Sequence, residues 1–164
     1  METARNVLGP DEGQLVYLFA LSARYMIDGN TTNRAFSLIE HRLPARALGA
    51  PLHTHRNEDE YSYILQGSIG LQLGEQILVA GPGDLVMKPR GVPHAFWNAG
   101  DDEARLLELI SPAGFEGYFR ELAPLLAAQP VDEAAIGEIV ARYELDIDFS
   151  SIPALAERHG LRLG

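Results

Sequence analysis

The sequence predicts an all-β domain carrying a short helical appendage at its C-terminal end. Three observations predict it. Between residues 14 and 111, short apolar or alternating runs are broken at close intervals by Gly, Pro, Asn and Asp. No long stretch in that region has a helical period, which disfavours a parallel α/β sheet. After Pro112 the apolar period changes from that of strands to that of helices.

The strand-length pieces, in order, are Leu15–Leu21, Ala35–Leu43, Tyr61–Leu65, Ile69–Leu73, Gln76–Ala80, Leu85–Lys88, His94–Trp97 and Arg105–Ile110. Turn signals separate them: Gly29-Asn30, Gly49 to Pro51, Gly67, Gly74-Glu75, Gly81-Pro82-Gly83, Gly91 and Gly100-Asp101. Many short strands with regular punctuation point to a sandwich or barrel. In the tail, Phe115, Phe119, Leu122, Leu125 and Leu126 fall on one helical face, and Ile136, Ile139, Val140 and Tyr143 on a second. Ser151, Pro153 and Gly160 mark the start and stop of a third short helix. Each helix is too short to stand alone, so each must lay its apolar face on something. The expected organisation is therefore a β-domain over residues 1–112 and a helical extension over 113–164 that packs on it. Its apolar stripes read as docking faces, or as a lid over a barrel mouth.

Composition narrows the function. The chain of 164 residues is 46% hydrophobic and can bury a core without disulfides. It has no cysteine, which excludes a disulfide scaffold, a zinc finger, an iron–sulfur protein and a thiol nucleophile. Any metal site must use nitrogen and oxygen ligands. The formal charge of −10 repels phosphate backbones and anionic lipid, so neither nucleic acid nor a membrane is an expected partner. The opening residues lack the apolar run of a leader, and no apolar run reaches the roughly 20 residues of a bilayer span. A soluble cytoplasmic protein is the expectation.

Two segments carry chemistry. In the first, His53-Thr54-His55 is followed after four residues by Glu60. Residues i and i+2 of a strand share a face, so His53 and His55 can present two imidazoles to one point. If the chain turns over 56–59, Glu60 faces back onto that point. The second segment is Gly83-x5-Pro89-x-Gly91-x2-His94-x3-Asn98. It reads as a strand, a Pro-Gly turn and a strand opened by His94, which supplies a third imidazole. Such a set of nitrogen and carboxylate ligands suits a divalent first-row metal.

These two segments resemble the two signature motifs of the cupin superfamily. The first motif runs Pro51-Leu52-His53-Thr54-His55-x4-Glu60-x6-Gly67 and the second Gly83-x5-Pro89-x-Gly91-x2-His94-x3-Asn98. One departure is visible: the motif's leading glycine position is Ala47 here, and Gly49 is the nearest glycine. The resemblance spans about residues 30–112 and fills all four ligand positions. It implies a small β-barrel of the jelly-roll type with a metal inside, held by His53, His55, Glu60 and His94. The texture is most similar to single-domain bacterial cupins of the quercetin 2,3-dioxygenase kind. That similarity implies a metal-dependent dioxygenase using iron, manganese or nickel, dioxygen and a small aromatic or enolisable, flavonol-like substrate, with Glu60 as the catalytic base. A second expectation keeps the site and drops oxygen: an isomerase, cyclase or decarboxylase of a dicarbonyl or polyketide-like substrate, for which zinc fits better. A third is a ligand-binding module that catalyses nothing. Cupins are often dimers, so a homodimer is expected.

The remaining residues take plainer readings. Ser62, Ile64, Phe96 and Asn98 share the ligand face by strand alternation and are expected to line the pocket, with Met87 and Phe36 as weaker candidates. Tyr61 and Tyr63 point the other way. Glu58 and Asp59 read as turn carboxylates, with Glu58 a fallback ligand. His41 reads as a packed histidine. His159 sits where a cation favours a helix end, and no role is assigned to it. Lys88 and Arg42 read as surface charges, or as contacts for an anionic substrate.

Overall fold

The computed structural model describes residues 6–163. The strands are β1 (Leu15–Leu18), β2 (Leu21–Ile27), β3 (Ser37–Leu43), β4 (Leu48–His55), β5 (Asp59–Gln66), β6 (Ile69–Leu73), β7 (Gln76–Ala80), β8 (Leu85–Lys88), β9 (His94–Asn98) and β10 (Ala104–Ser111). Helices α1 (Glu116–Ala127) and α2 (Glu133–Arg142) follow, then strand β11 (Leu145–Asp148) and helix α3 (Ser151–His159). The strands form two antiparallel sheets, β1-β2-β3-β10-β5-β8 and β11-β4-β9-β6-β7, which face each other as a jelly-roll barrel.

Two expectations need correction. The run Leu15–Leu21 is not one strand: it folds as a hairpin, with Phe19 at φ 55 in the turn between β1 and β2. The tail is not wholly helical either. Leu145-Asp146-Ile147-Asp148 alternates apolar and acidic residues with period two and adds β11 to the edge of β4, pairing Leu145 with His55 and Ile147 with His53. The third helix stops at Gly160, which is in the left-handed conformation, and it starts at Ser151, with Ser150 rather than Ser151 at the cap position. Among the described residues, no helix is long and apolar enough to cross a membrane.

Apolar packing divides the interior. One end of the barrel is filled by Leu21, Leu43, Ile64, Ile69, Leu71 and Leu106. At the other end, Phe115, Phe119 and Leu122 of the α1 region and Ile139 of α2 pack over Tyr25, Ile39 and Ile110 of the barrel. Helix α3 lies outside, with Leu155 against Ala95 and Trp97 on the outer face of β9. Strand alternation sets which charges go inside. On β3, Ile39, His41 and Leu43 face in, while Glu40 faces out under a clasp of arginines. Burial raises the Glu40 pKa, but hydrogen bonds from Arg24, Arg42 and Arg105 outweigh it and hold it at about 2. Arg42 is thus committed to Glu40 and contacts no cavity.

Candidate metal centre

The first sheet supplies acids and a lysine; the second supplies imidazoles. His53 and His55 alternate along β4, and His94 stands directly across from His53 on β9. Gly91, at φ 77, makes the turn that aims His94 inward, and its N–H donates to the His55 carbonyl at 2.8 Å. This ties the second segment to the first. Glu60 enters from β5 on the opposite sheet, its strand start fixed by Arg90, which donates to Asp59 at 2.8 Å. One donor atom from each of His53, His55, Glu60 and His94 lies within 4.8 Å of every other, and all four residues are buried.

The hydrogen bonds around these rings decide their protonation. His53 Nδ1–H donates to the Pro51 carbonyl at 2.7 Å, and His94 Nδ1–H donates to the Val92 carbonyl at 3.1 Å. A carbonyl only accepts, so in each neutral ring Nε2 is a bare lone pair. Burial pushes both pKa values below the ordinary imidazole range, which keeps the rings neutral. His55 faces Glu58 Oε2 with Nδ1 and Glu60 Oε1 with Nε2, each at 3.4 Å, and neither nitrogen makes a hydrogen bond. Burial would push Glu60 up, yet the Lys88 ammonium beside it holds its carboxyl well below the usual range. The centre therefore gathers Nε2 of His53 and of His94, the two His55 nitrogens left without a hydrogen bond, and an ionised carboxylate, with His94 Nε2 3.2 Å from Glu60 Oε2. Buried ring nitrogens without a hydrogen-bond partner, as in His55, carry a cost that a bound cation relieves. The residues thus fit a divalent metal on physical grounds, with nitrogen and oxygen donors alone.

Behind the four stand Lys88, which the sequence reading put at the surface, Glu108, which it did not single out, and Glu58, which it read as a turn carboxylate. Lys88 is no surface charge. It is 2% exposed, with Nζ 3.1 Å from Glu60 Oε2 and 2.7 Å from Glu108 Oε2. Burial disfavours its charge, but Glu108 and Glu60 outweigh that and raise its pKa. Glu108, from β10, accepts from Lys88 and Ser62; burial, aided by the charge of Glu60, lifts it to about 7. Glu58 backs His55 from the turn. Register puts Lys88 inside: it pairs with Glu60 across β5 and β8, while Leu85 and Met87 take the opposite parity and face out.

A cavity of about 820 Å³ opens onto this centre. His41, His53, His55, Glu60 and Glu108 form its polar end. Phe96 and Phe119, Leu122 of α1, Val140 of α2, Ile147 of β11, and Phe149 form apolar wall. The tail thus walls the cavity, and Phe115 stands edge-on to the His55 ring at 4.3 Å. Of the side chains expected to line the pocket, Phe96 does so. Ser62 and Ile64 face inward but lie in the packed interior, and the Asn98 amide is spent on the carbonyls of Leu43, Pro44 and Asp102. Met87 is 62% exposed on the outer face of β8, and Phe36 precedes β3 away from the cavity; both are excluded from its wall. The Phe96 ring rests on Gly49, where an added Cβ would come within 2.3 Å.

Fold and centre together define a jelly-roll barrel with a buried three-histidine, one-carboxylate cluster able to hold a metal. Residues 39–110 match the family model described as a cupin domain. No curated protein matches the sequence. Solved structures do. KdgF from Halomonas sp. superposes with a TM-score of 0.60 at 15% identity, over 67% of this chain and 96% of that one. A predicted oxalate decarboxylase from Thermotoga maritima gives 0.60 at 20% identity, over 65% and 98%. The polyketide cyclase RemF from Streptomyces resistomycificus gives 0.58 at 24% identity, over 65% and 79%. At these identities the likeness is one of fold.

Proposed function

We propose that the chain is a metal-dependent enzyme that removes a proton from a largely apolar, phenolic or enolisable small molecule held in the barrel. The observation that carries this reading is the convergence of four buried acceptors at the polar end of a mostly apolar cavity. A divalent ion held by His53, His55, Glu60 and His94 would lower the pKa of a substrate hydroxyl and polarise a carbonyl. Iron, manganese, nickel and zinc all accept such ligands. Glu60 is the base nearest the reacting atoms. Lys88 orients it by holding one carboxylate oxygen, and Glu108, titrating near neutrality, stores or returns a proton through the same lysine. The apolar wall keeps water from the anion.

Two fates for that anion are open. A non-redox reaction, such as isomerisation, cyclisation or decarboxylation, is favoured by the Glu60–Lys88–Glu108 chain, because such reactions require a proton to be given back. Reaction with dioxygen is the second reading. It is favoured by the dry, apolar wall, which shields an oxygen-reactive carbanion. The test is elemental analysis of protein purified without added metal, followed by assays of flavonol, catechol and dicarbonyl panels in air and under argon. Turnover at equal rates in both supports the non-redox reading. Oxygen uptake supports the dioxygenase. Binding without turnover in wild type, with Glu60→Gln changing affinity alone, makes the protein a ligand carrier and overturns the enzyme. The exposed apolar side chains Tyr63, Leu65, Leu85 and Met87 on the outer face of β5 and β8 support a homodimer, which sedimentation checks.

A further inference from the structure

His41 lies outside the metal cluster, yet it lines the same cavity. It is 2% exposed, held edge-on to Phe119 at 5.4 Å and tilted against Phe96 at 6.4 Å, so its ring cannot turn freely. Its Nδ1–H donates to the Ser22 carbonyl at 3.0 Å, which fixes the tautomer. Burial keeps the ring neutral, with its pKa down at about 4. Among the described residues Nε2 receives no hydrogen bond, and it is not sealed by protein atoms. The lone pair therefore opens onto the cavity. The other polar groups at that end are acceptors too, and no lysine or arginine is among the lining residues. The side chains at that end thus offer a guest acceptors, and the edge His41 presents suits a hydroxyl that donates.

We propose that His41 is a specificity-determining residue: its Nε2 accepts a hydrogen bond from a hydroxyl of an uncharged aromatic substrate whose other oxygen reaches the histidine–glutamate cluster. This rests on the reading of the barrel as a substrate site, and it adds the substrate's class and a second point of attachment. A neutral imidazole fixed as an acceptor distinguishes a hydroxyl from the same group methylated, because the ether leaves Nε2 buried and unpaired.

The test uses the whole chain with Zn2+ added and two probes of nearly equal shape, 2-naphthol and 2-methoxynaphthalene. Dissociation constants are measured by fluorescence titration in wild type, His41→Leu and His41→Gln. Wild type is expected to prefer the naphthol by about tenfold, the ratio one buried hydrogen bond supplies. His41→Leu should lose that preference while keeping its affinity for the ether, which also reports that the variant is folded. His41→Gln, with a carbonyl acceptor, should restore much of it. A measurement on wild type alone makes the test independent of folding: the 15N resonance of His41 Nε2 should move with 2-naphthol and stay with the ether. A preference surviving in His41→Leu, a resonance that does not move, or a wild type that binds neither probe overturns the proposal. Failure of the enzymatic reading looks different: the preference appears, and no substrate turns over.

Discussion

Replacing Lys88 with methionine removes the ammonium that stands between two buried carboxylates. Nζ lies 3.1 Å from Glu60 and 2.7 Å from Glu108, and the three side chains are 2%, 6% and 2% exposed. Breaking a buried pair costs about 3–5 kcal/mol when the stranded charge persists. Glu108 has an escape, because burial already lifts it to about 7 and losing Lys88 lifts it further. A carboxyl whose folded pKa is raised binds its proton more tightly in the native state, so stability falls as pH climbs from the unfolded value of 4.5 to the folded one. In wild type that loss ends near neutrality; in Lys88→Met it continues upward. At about pH 6 the variant keeps Glu108 neutral, and the cost is that of lost hydrogen bonds, about 1–2 kcal/mol. At about pH 9 it grows to about 3–5 kcal/mol. Denaturant unfolding of chelator-treated protein at both pH values measures the difference. Adding Glu108→Gln to Lys88→Met should recover most of the alkaline loss, a coupling the double-mutant cycle isolates. A deficit below about 1 kcal/mol at both pH values would refute the bridge, since a solvated lysine costs that little.

Three further perturbations test neighbouring parts. Glu58→Gln should weaken Zn2+ binding about 10–100-fold in a chelator competition, because its carboxylate stands 3.4 Å behind His55 Nδ1, where it can accept a hydrogen bond from that N–H once Nε2 holds the metal; unchanged affinity would show that it orients nothing. His41 carries the opposite pH signature to Glu108. Its lowered folded pKa means the unfolded chain takes the proton first, so wild type loses about 3 kcal/mol as pH falls from 6.5 towards about 4, and His41→Gln does not. Parallel stability curves for the two proteins would contradict the burial of a neutral ring. Gly49→Ala drives a methyl group into Phe96 and should cost about 1–3 kcal/mol while weakening 2-methoxynaphthalene binding. Wild-type stability and affinity would mean the ring does not rest there.

The parts of the structure legible in the sequence are those set by local spacing. His53 and His55 share a face because strands alternate, and the Pro89–Gly91 turn has to precede an inward His94. What was not legible depends on which strand lies beside which. Lys88 belongs inside because β8 pairs with β5 and puts it across from Glu60, a long-range register that no local pattern states. Met87 is exposed for the same reason: it takes the other parity, and apolar character misled the reading of its face. Glu108 is buried because it pairs with Ser62 on β5 and reaches Lys88. Leu145 and Ile147 show a period of two in only four residues, too short to stand out between two helices. His41 was read as packed, and it is. Its role emerges only from the Ser22 carbonyl that fixes its tautomer and the cavity that its other edge meets.

Titration of chelator-treated protein with Zn2+, followed by calorimetry and by the shift in denaturant midpoint, bears most directly on the centre. Three imidazoles and a carboxylate gathered at one point should take up one equivalent per chain and raise stability with metal concentration. His53→Ala and His94→Ala should each abolish the rise. A wild type that is not stabilised by Zn2+, Mn2+, Fe2+ or Ni2+, or an equal gain in the two variants, would contradict the metal centre on which the functional reading stands.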